Sequence, residues 1–308
     1  MSLSSIGIRQ SAIPVSGLLL GSVAVLMFSG TVPATRMAVA SIDPVVVGVG
    51  RSVLGALIAV AYLAAVKAPW PARSQVPGIL VVAMGAAVGF GWFSAQALRT
   101  LSASHSSVVI GILPMLTAVF GALRTGARPR ALFWIATAAG TAVVVVYAAA
   151  NSPTASIGVG DVYLFGALVC AAAAYAEGGR LARTMPGGHV IAWGLVAALP
   201  VSVTLTAAAL RSSPFEPTPP SLVALVYMAI FSVFVGMVLW YRAMGLAGVP
   251  RVSSIQLAQP LLSVLWSWLL LGEPLRPETI GAAILVLVCV ATAQKARISI
   301  APTPIGPR

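Results

Sequence analysis

Polar side chains are scarce within the apolar runs of this chain, and those present fall in patterns that suggest ligand binding. Ser253, Gln256, Gln259, Ser263 and Ser267 recur at steps of three and four, which puts them on one stripe of a helix. Amides and hydroxyls so placed can hold a small polar solute; the alternative is that they hydrogen-bond neighbouring helices. Pro260 lies inside the stripe, removes a backbone donor, and is expected to leave the Gln256 carbonyl open. Pro114 holds the matching place in an earlier segment, with Ser107, Thr117 and Gly121 on its face. Paired helix breaks at corresponding positions point to a binding site between the segments.

Charged and aromatic residues extend the candidate set. Glu177 is the one acid inside an apolar run, in AAAAYAEGGR. It is a candidate anchor for a substrate ammonium or a proton-coupling carboxylate, against an interfacial ion pair with Arg180 or Arg183. Arg51 lies about seven residues inside its run, where it faces a substrate carboxylate or bonds helix-end carbonyls. Trp92 and Gln96, one turn apart, would form an amphipathic cavity wall. Tyr175, Trp193, Trp240 and Tyr241 fall in runs expected to line the centre, and Trp70 and Trp134 at interfaces. Ser29 and Thr31-Val32-Pro33 interrupt the first run in a similar way. Arg36, Arg99 and His105 are expected as interfacial residues.

Catalytic patterns are missing. There is no GxSxG, no phosphate-binding glycine loop and no pair of acids at helical spacing. With two histidines, and with Cys170 and Cys289 isolated in apolar runs, neither a metal site nor a disulfide is indicated. The expectation is a protein that is not an enzyme, carries no cofactor, and contains no ATPase of its own.

The elements that must position these residues follow from composition. The chain is 59% hydrophobic and 8% charged, with a mean hydropathy of +1.01. Soluble domains carry roughly 25% charged residues. An all-α integral membrane protein is indicated. Ten spans can be laid out at 13–35, 44–66, 77–98, 103–123, 131–150, 160–178, 189–210, 221–242, 251–271 and 277–294. Turn chemistry separates them, as at Asp43-Pro44, Asn151-Ser152-Pro153 and Pro217-Thr218-Pro219-Pro220. Asp161 and Ser221 are expected as N-caps of the sixth and eighth spans. The first span reads as an uncleaved helix, because no small-residue cleavage site follows it.

The net charge of +12 is spread singly between apolar runs, without the basic patch that nucleic acid requires. With the N-terminus inside, most Lys and Arg residues fall on the inner side. Arg36, Arg99, Arg211 and Arg276 are the outer exceptions, while Asp43, Asp161, Glu216, Glu273 and Glu278 are all outer. Both termini are then cytoplasmic.

The chain also repeats itself at an offset of 146 residues. Ser107 falls on Ser253, Pro114 on Pro260, Leu123 on Leu269, Gly126 on Gly272 and Arg130 on Arg276. Two five-helix halves, 1–150 and 151–308, are implied. An odd number of spans per half makes the repeat inverted, with a site near the midplane between halves.

Particular segments resemble a known family. LLLGEPL followed by ETIGAAIL is similar to the last two helices of EamA-type members of the drug/metabolite transporter superfamily. ALRTLSASHSSVVIGILPMLTAVFG resembles its third-to-fourth helix passage. Asp43-Pro44 with Arg51 resembles the opening of its second helix, and Gly160-Asp161 the start of its second repeat. The likeness spans about residues 15–295. One departure is Gly126-Ala127, where the family often has Gly-Glu, so that only Glu273 keeps the acid. The resemblance implies a secondary transporter in the inner or plasma membrane, exporting small organic metabolites such as amino acids by alternating access. Spans one to four and six to nine would line its cavity, with five and ten aside. Protons are a candidate coupling ion, and the partners are a small-molecule substrate and the lipid bilayer. The alternatives are an importer or exchanger of other metabolites or drugs, and a non-transporting scaffold or receptor.

Overall fold

The joints set the ends of the helices. A computed structural model describes residues 15–125, 130–150, 157–247, 252 and 255–297. Its first eight membrane-length helices are α1 (Ser16–Ala38), α2 (Val46–Ala65), α3 (Val76–Ala97), α4 (Ala103–Arg124), α5 (Ala131–Ala148), α6 (Val159–Leu181), α7 (Gly187–Ser212) and α8 (Pro219–Ala247). Each is long and apolar enough to cross a bilayer. Two shorter apolar helices follow, α9 (Gln256–Leu271) and α10 (Pro277–Ala293). Ser253, at the head of the polar stripe, and Asn151-Ser152-Pro153, Gly126 and Ala127 lie outside the described residues.

The caps differ in detail from expectation. Thr218, not Ser221, caps α8, its hydroxyl accepting from the Ser221 N–H. Asp161 sits one turn into α6, and its carboxylate reaches back 3.1 Å to the Gly158 N–H. Ser102 caps α4. At the end of α9 Gly272 takes a left-handed conformation (φ +66°), which a residue with a Cβ rarely adopts.

Several helices are irregular at mid-length. α1 breaks at Gly30, between Val15–Ser29 and Thr31–Ala38. α4 breaks before Pro114, between Ala103–Ile110 and Leu113–Thr125. Wide π-type turns run through Val46–Gly50, Ala83–Gly89 and Met228–Gly236. Such turns often mark functional positions, and nothing in the residue pattern foretold them.

Without an aqueous driving force between spans, packing rests on close contact and internal hydrogen bonds. Gly17 and Gly21 meet the α8 side of the bundle, a Cβ at Gly17 lying 2.9 Å from that of Ala247, and Gly85 and Gly89 pack on Cys170 of α6. Cys170 and Cys289 are free thiols, half-buried rather than enclosed. α2 and α3 cross backbone to backbone at Gly48 and Gly91, beside Arg51.

Three apolar clusters build the interior. One draws on α1, α2, α3, α7 and α8, a second on α4, α5, α6 and α10, and Tyr175 packs on both. A third, smaller one joins α1, α2, α3, α7 and α8 around Ala38, Val47 and Met228. α5 and α10 lie along each other. One end of the bundle gathers Arg36 with the end of α3, Asp43 with Ser213, and Glu273 with the start of α4. The other gathers Arg124, Glu177 and Arg180, and Gln75 with Thr184.

Candidate functional site

At the seam between the first two clusters lies a cavity of about 50 Å³. Its wall is made by Phe28, Thr31, Val32, Arg51, Ala86, Ala87, Phe90, Ile110, Leu113, Ala171, Tyr175, Ile191, Ser232, Val233, Met237 and Gln259. These come from α1 to α4 and α6 to α9. The α5–α10 pair stands outside this wall. The wide turns of α3 and α8 supply Ala86, Ala87, Ser232 and Val233, and that of α2 ends at Arg51.

Arg51 is the one charged residue of this wall. It is 2% exposed. Its Nη1 donates to the Met228 sulfur at 3.4 Å, and its guanidinium lies 5.6 Å from the Phe90 ring centroid. Its Nε has no acceptor among the described residues. Among the described residues no helix-end carbonyl accepts from it, which leaves the other alternative, a substrate carboxylate. Arg36 does bond helix-end carbonyls, donating to those of Leu98 and Arg99 at 2.7 and 3.0 Å.

The polar stripe of α9 divides in two. Gln259 lines the cavity, and its Oε1 accepts from Gln256 Nε2 at 3.3 Å. Ser263 is spent on packing, since its hydroxyl donates to the Ser29 carbonyl of α1 at 2.7 Å. Pro33, four residues beyond Ser29, cannot donate to that carbonyl. Trp266 Nε1 donates to the Ser29 hydroxyl at 2.9 Å, and the Ser267 hydroxyl turns back to the Ser263 carbonyl. The Gln256 carbonyl is not open. A tight turn over Gln256–Ala258 brings the Gln259 N–H onto it, a shorter bond than the helical one that Pro260 removes. Pro260 and Pro114 do face each other, in a small space shared with Ser107, Gly111, Gln256, Gln259 and Ser263.

The aromatic residues sort differently from expectation. Tyr175 lines the cavity. Trp240, fully buried, stands behind the wall, 5.8 Å from Phe28 and 5.9 Å from Tyr175 by ring centroids. Trp92 and Gln96 are not wall residues: Phe90 takes the cavity face of α3, and Trp92 packs edge-on against Phe93 and Tyr163. Trp193 pairs with the exposed Trp70, 4.7 Å away, near a loop rather than at the centre. The Tyr241 hydroxyl donates to the Ala174 carbonyl at 3.2 Å.

Glu177 is an ion-pair partner. Its Oε1 accepts from Arg180 Nε and Nη2 at 2.9 and 2.6 Å, and its Oε2 lies 3.5 Å from Arg124 Nε. Lying two residues beyond Tyr175, it points away from the cavity side of α6.

A second space, of about 570 Å³, opens at the far end of the bundle. His105, Tyr147, Asp161, Glu273, Arg276 and Thr279 are among its lining residues. His105 is buried in the first turn of α4. Its Nε2 lies 2.7 Å from Asp161 Oδ1, and its ring stacks on Tyr147 at 5.4 Å. Glu273 accepts from the Ala103 and Ser104 N–H groups at 2.8 and 2.7 Å, so it caps α4 from the α9–α10 turn. His105, Asp161 and Glu273 stood out in the sequence, but their partners lie 56 to 170 positions away. Among the described residues no group of three or more His, Cys, Asp or Glu side chains is placed to hold a metal ion.

Comparison with known proteins bears on this arrangement. The model of the EamA-like transporter family matches twice, over residues 15–149 and 158–293. The "Uncharacterized transporter YdeK" of Bacillus subtilis (strain 168) is 36% identical over 280 residues, covering 91% of this chain and 97% of that protein. A solved crystal structure, 20% identical, shares the fold with a TM-score of 0.65 over 93% of this chain and 99% of its own. The two matched segments meet around the central cavity, Arg51 coming from the first and Tyr175 and Gln259 from the second. The chain belongs to the EamA-like transporter family.

Proposed function

We propose that the protein is a secondary transporter that carries small organic metabolites outward by alternating access. Ten spans form two inverted five-helix halves, 1–150 and 151–308, and the substrate sits between them. The observation that carries this reading is the buried cavity at the seam, walled by helices from both matched segments and containing Arg51, Tyr175 and Gln259. Polar groups are costly inside a bilayer, and their collection around one space argues for use.

The cavity has room for only a few waters. We read this as a closed conformation. Opening would come from bending at Gly30 of α1, at the break before Pro114, and at the three wide turns, all of which adjoin the wall. Protons are the coupling ion of this reading, the membrane is the inner or plasma membrane, and both termini face the cytoplasm. Amino acids are the substrate class that the family resemblance implies.

The test is flux of radiolabelled metabolites in proteoliposomes under an imposed pH gradient, alongside a screen of metabolites accumulating outside overexpressing cells. Gradient-dependent flux that Gln259→Ala and Tyr175→Ala reduce supports the reading. If no metabolite moves faster than in empty liposomes, the protein is a scaffold or receptor instead.

A further inference from the structure

We infer that the central cavity binds a small monocarboxylate with an apolar body, and that the Arg51 guanidinium is the partner of its carboxylate. This deepens the proposed function and rests on its reading of the cavity as the substrate site.

Charge is the first argument. A guanidinium carries five N–H donors. Here it is almost fully buried, its Nε has no acceptor among the described residues, and the acceptor of its Nη1 is a thioether sulfur, which accepts weakly. A buried cation without an anionic partner is costly. The Phe90 ring face supplies some stabilisation but no acceptor for the donors. None of the wall residues is Asp or Glu. Glu177 of the cavity-lining helix α6 has its oxygens engaged by Arg180 and Arg124. The cavity wall therefore carries one positive charge that no wall residue offsets. A ligand with a single negative charge neutralises it, and a carboxylate matches the planar fork of the guanidinium with two parallel hydrogen bonds.

The second argument is what the wall offers the remainder of the ligand. Phe28, Val32, Ile110, Leu113, Ile191 and Met237 are apolar. Of the neutral polar groups, the Thr31 and Ser232 hydroxyls bond each other at 2.8 Å, and the Gln259 Oε1 already accepts from Gln256. An ammonium group would meet no carboxylate in this wall. The site thus ranks a simple monocarboxylate above the amino acid of the same skeleton, and both above the amine. A ligand with two negative charges would leave one unpaired.

The experiment uses four compounds that share an isobutyl body: 4-methylpentanoate, leucine, 4-methylpentanamide and 3-methylbutylamine. Binding to the full-length protein in lipid nanodiscs is followed by calorimetry and by tryptophan fluorescence, with Trp240 behind Phe28 and Tyr175 as the natural reporter. The acid should bind about tenfold or more tightly than its amide, the difference expected of a charge-assisted pair. Leucine should be intermediate, and the amine should not compete. Arg51→Gln should abolish the preference for acid over amide, and Arg51→Lys should keep part of it. Should Arg51→Gln fail to fold, the wild-type series and Arg51→Lys carry the test.

The inference is overturned if the amide or amine matches the acid, if none of the four compounds binds, or if folded Arg51→Gln keeps the preference. Proteoliposome flux separates the two readings. Carboxylate binding without flux would remove the transporter and leave the binding site; flux without carboxylate preference would do the reverse.

Discussion

His105 and Asp161 form a buried contact of 2.7 Å between α4 and α6, one residue from each matched half. The side chains that face His105 there are Asp161 of α6, Tyr147 of α5, Thr279 of α10 through its bond to the Tyr147 hydroxyl, and Glu273 and Arg276 of the α9–α10 turn. Both partners are 8% exposed, so removing one strands the other. Asp161→Asn or His105→Ala should each cost about 2 kcal/mol. The double variant should cost clearly less than the sum. Thermal unfolding in detergent across the four-member cycle measures the coupling.

Glu273 should act as a helix cap. Its carboxylate takes two backbone N–H groups at the start of α4, where the helix dipole favours negative charge. Glu273→Ala should destabilise the protein by about 1 kcal/mol. Glu273→Gln should retain part of that, because an amide oxygen can still accept one bond. A melting series on the two variants checks it.

Ser263 should prove structural. Its hydroxyl satisfies the Ser29 carbonyl that Pro33 leaves without a donor, so Ser263→Ala should lower stability by about 0.6 kcal/mol, the mean for hydrogen bonds between membrane helices. Substrate affinity should stay unchanged. A shift in affinity without loss of stability would return Ser263 to the substrate wall.

The wall itself makes a contrast between neighbours. Gln259→Ala and Tyr175→Phe alter residues that line the central cavity and should reduce flux, by about tenfold where a hydrogen bond to substrate is lost. Trp92→Ala alters a contact with Phe93 and Tyr163 on the other side of α3 and should leave flux within about twofold. Parallel proteoliposome assays decide this.

Glu177→Gln should change stability more than transport. The Arg124 side chain is 64% exposed and that of Arg180 41%, and this contact with solvent limits the loss to about 1 kcal/mol. The pH dependence of flux should be unaltered, because Glu177 lies off the cavity. A shifted pH profile in this variant would make Glu177 the coupling carboxylate after all.

Much of this protein could be read without coordinates, for a plain physical reason. Whether a segment is long and apolar enough to cross a bilayer depends on that segment alone, and so do the turns that end it. The eight membrane-length helices, the EamA resemblance, the matched Pro114 and Pro260, and Arg51 as a charge inside a run were all legible in this way. The wide turns were not, because they answer to packing by neighbours rather than to local composition.

What the tertiary structure decided is how each helix is rotated and which distant groups it meets. Rotation sends Phe90 into the cavity and Trp92 away from it, although both are aromatic residues of one turn. It commits Ser263 to Ser29 while leaving Gln259 at the wall. Docking places Glu273 on α4 and pairs His105 with Asp161, contacts that no local spacing encodes. The apolar pattern tells a membrane segment to be a helix, but on helices that are apolar on nearly every face it says little about which side turns inward. Only close packing and the satisfaction of buried polar groups settle that.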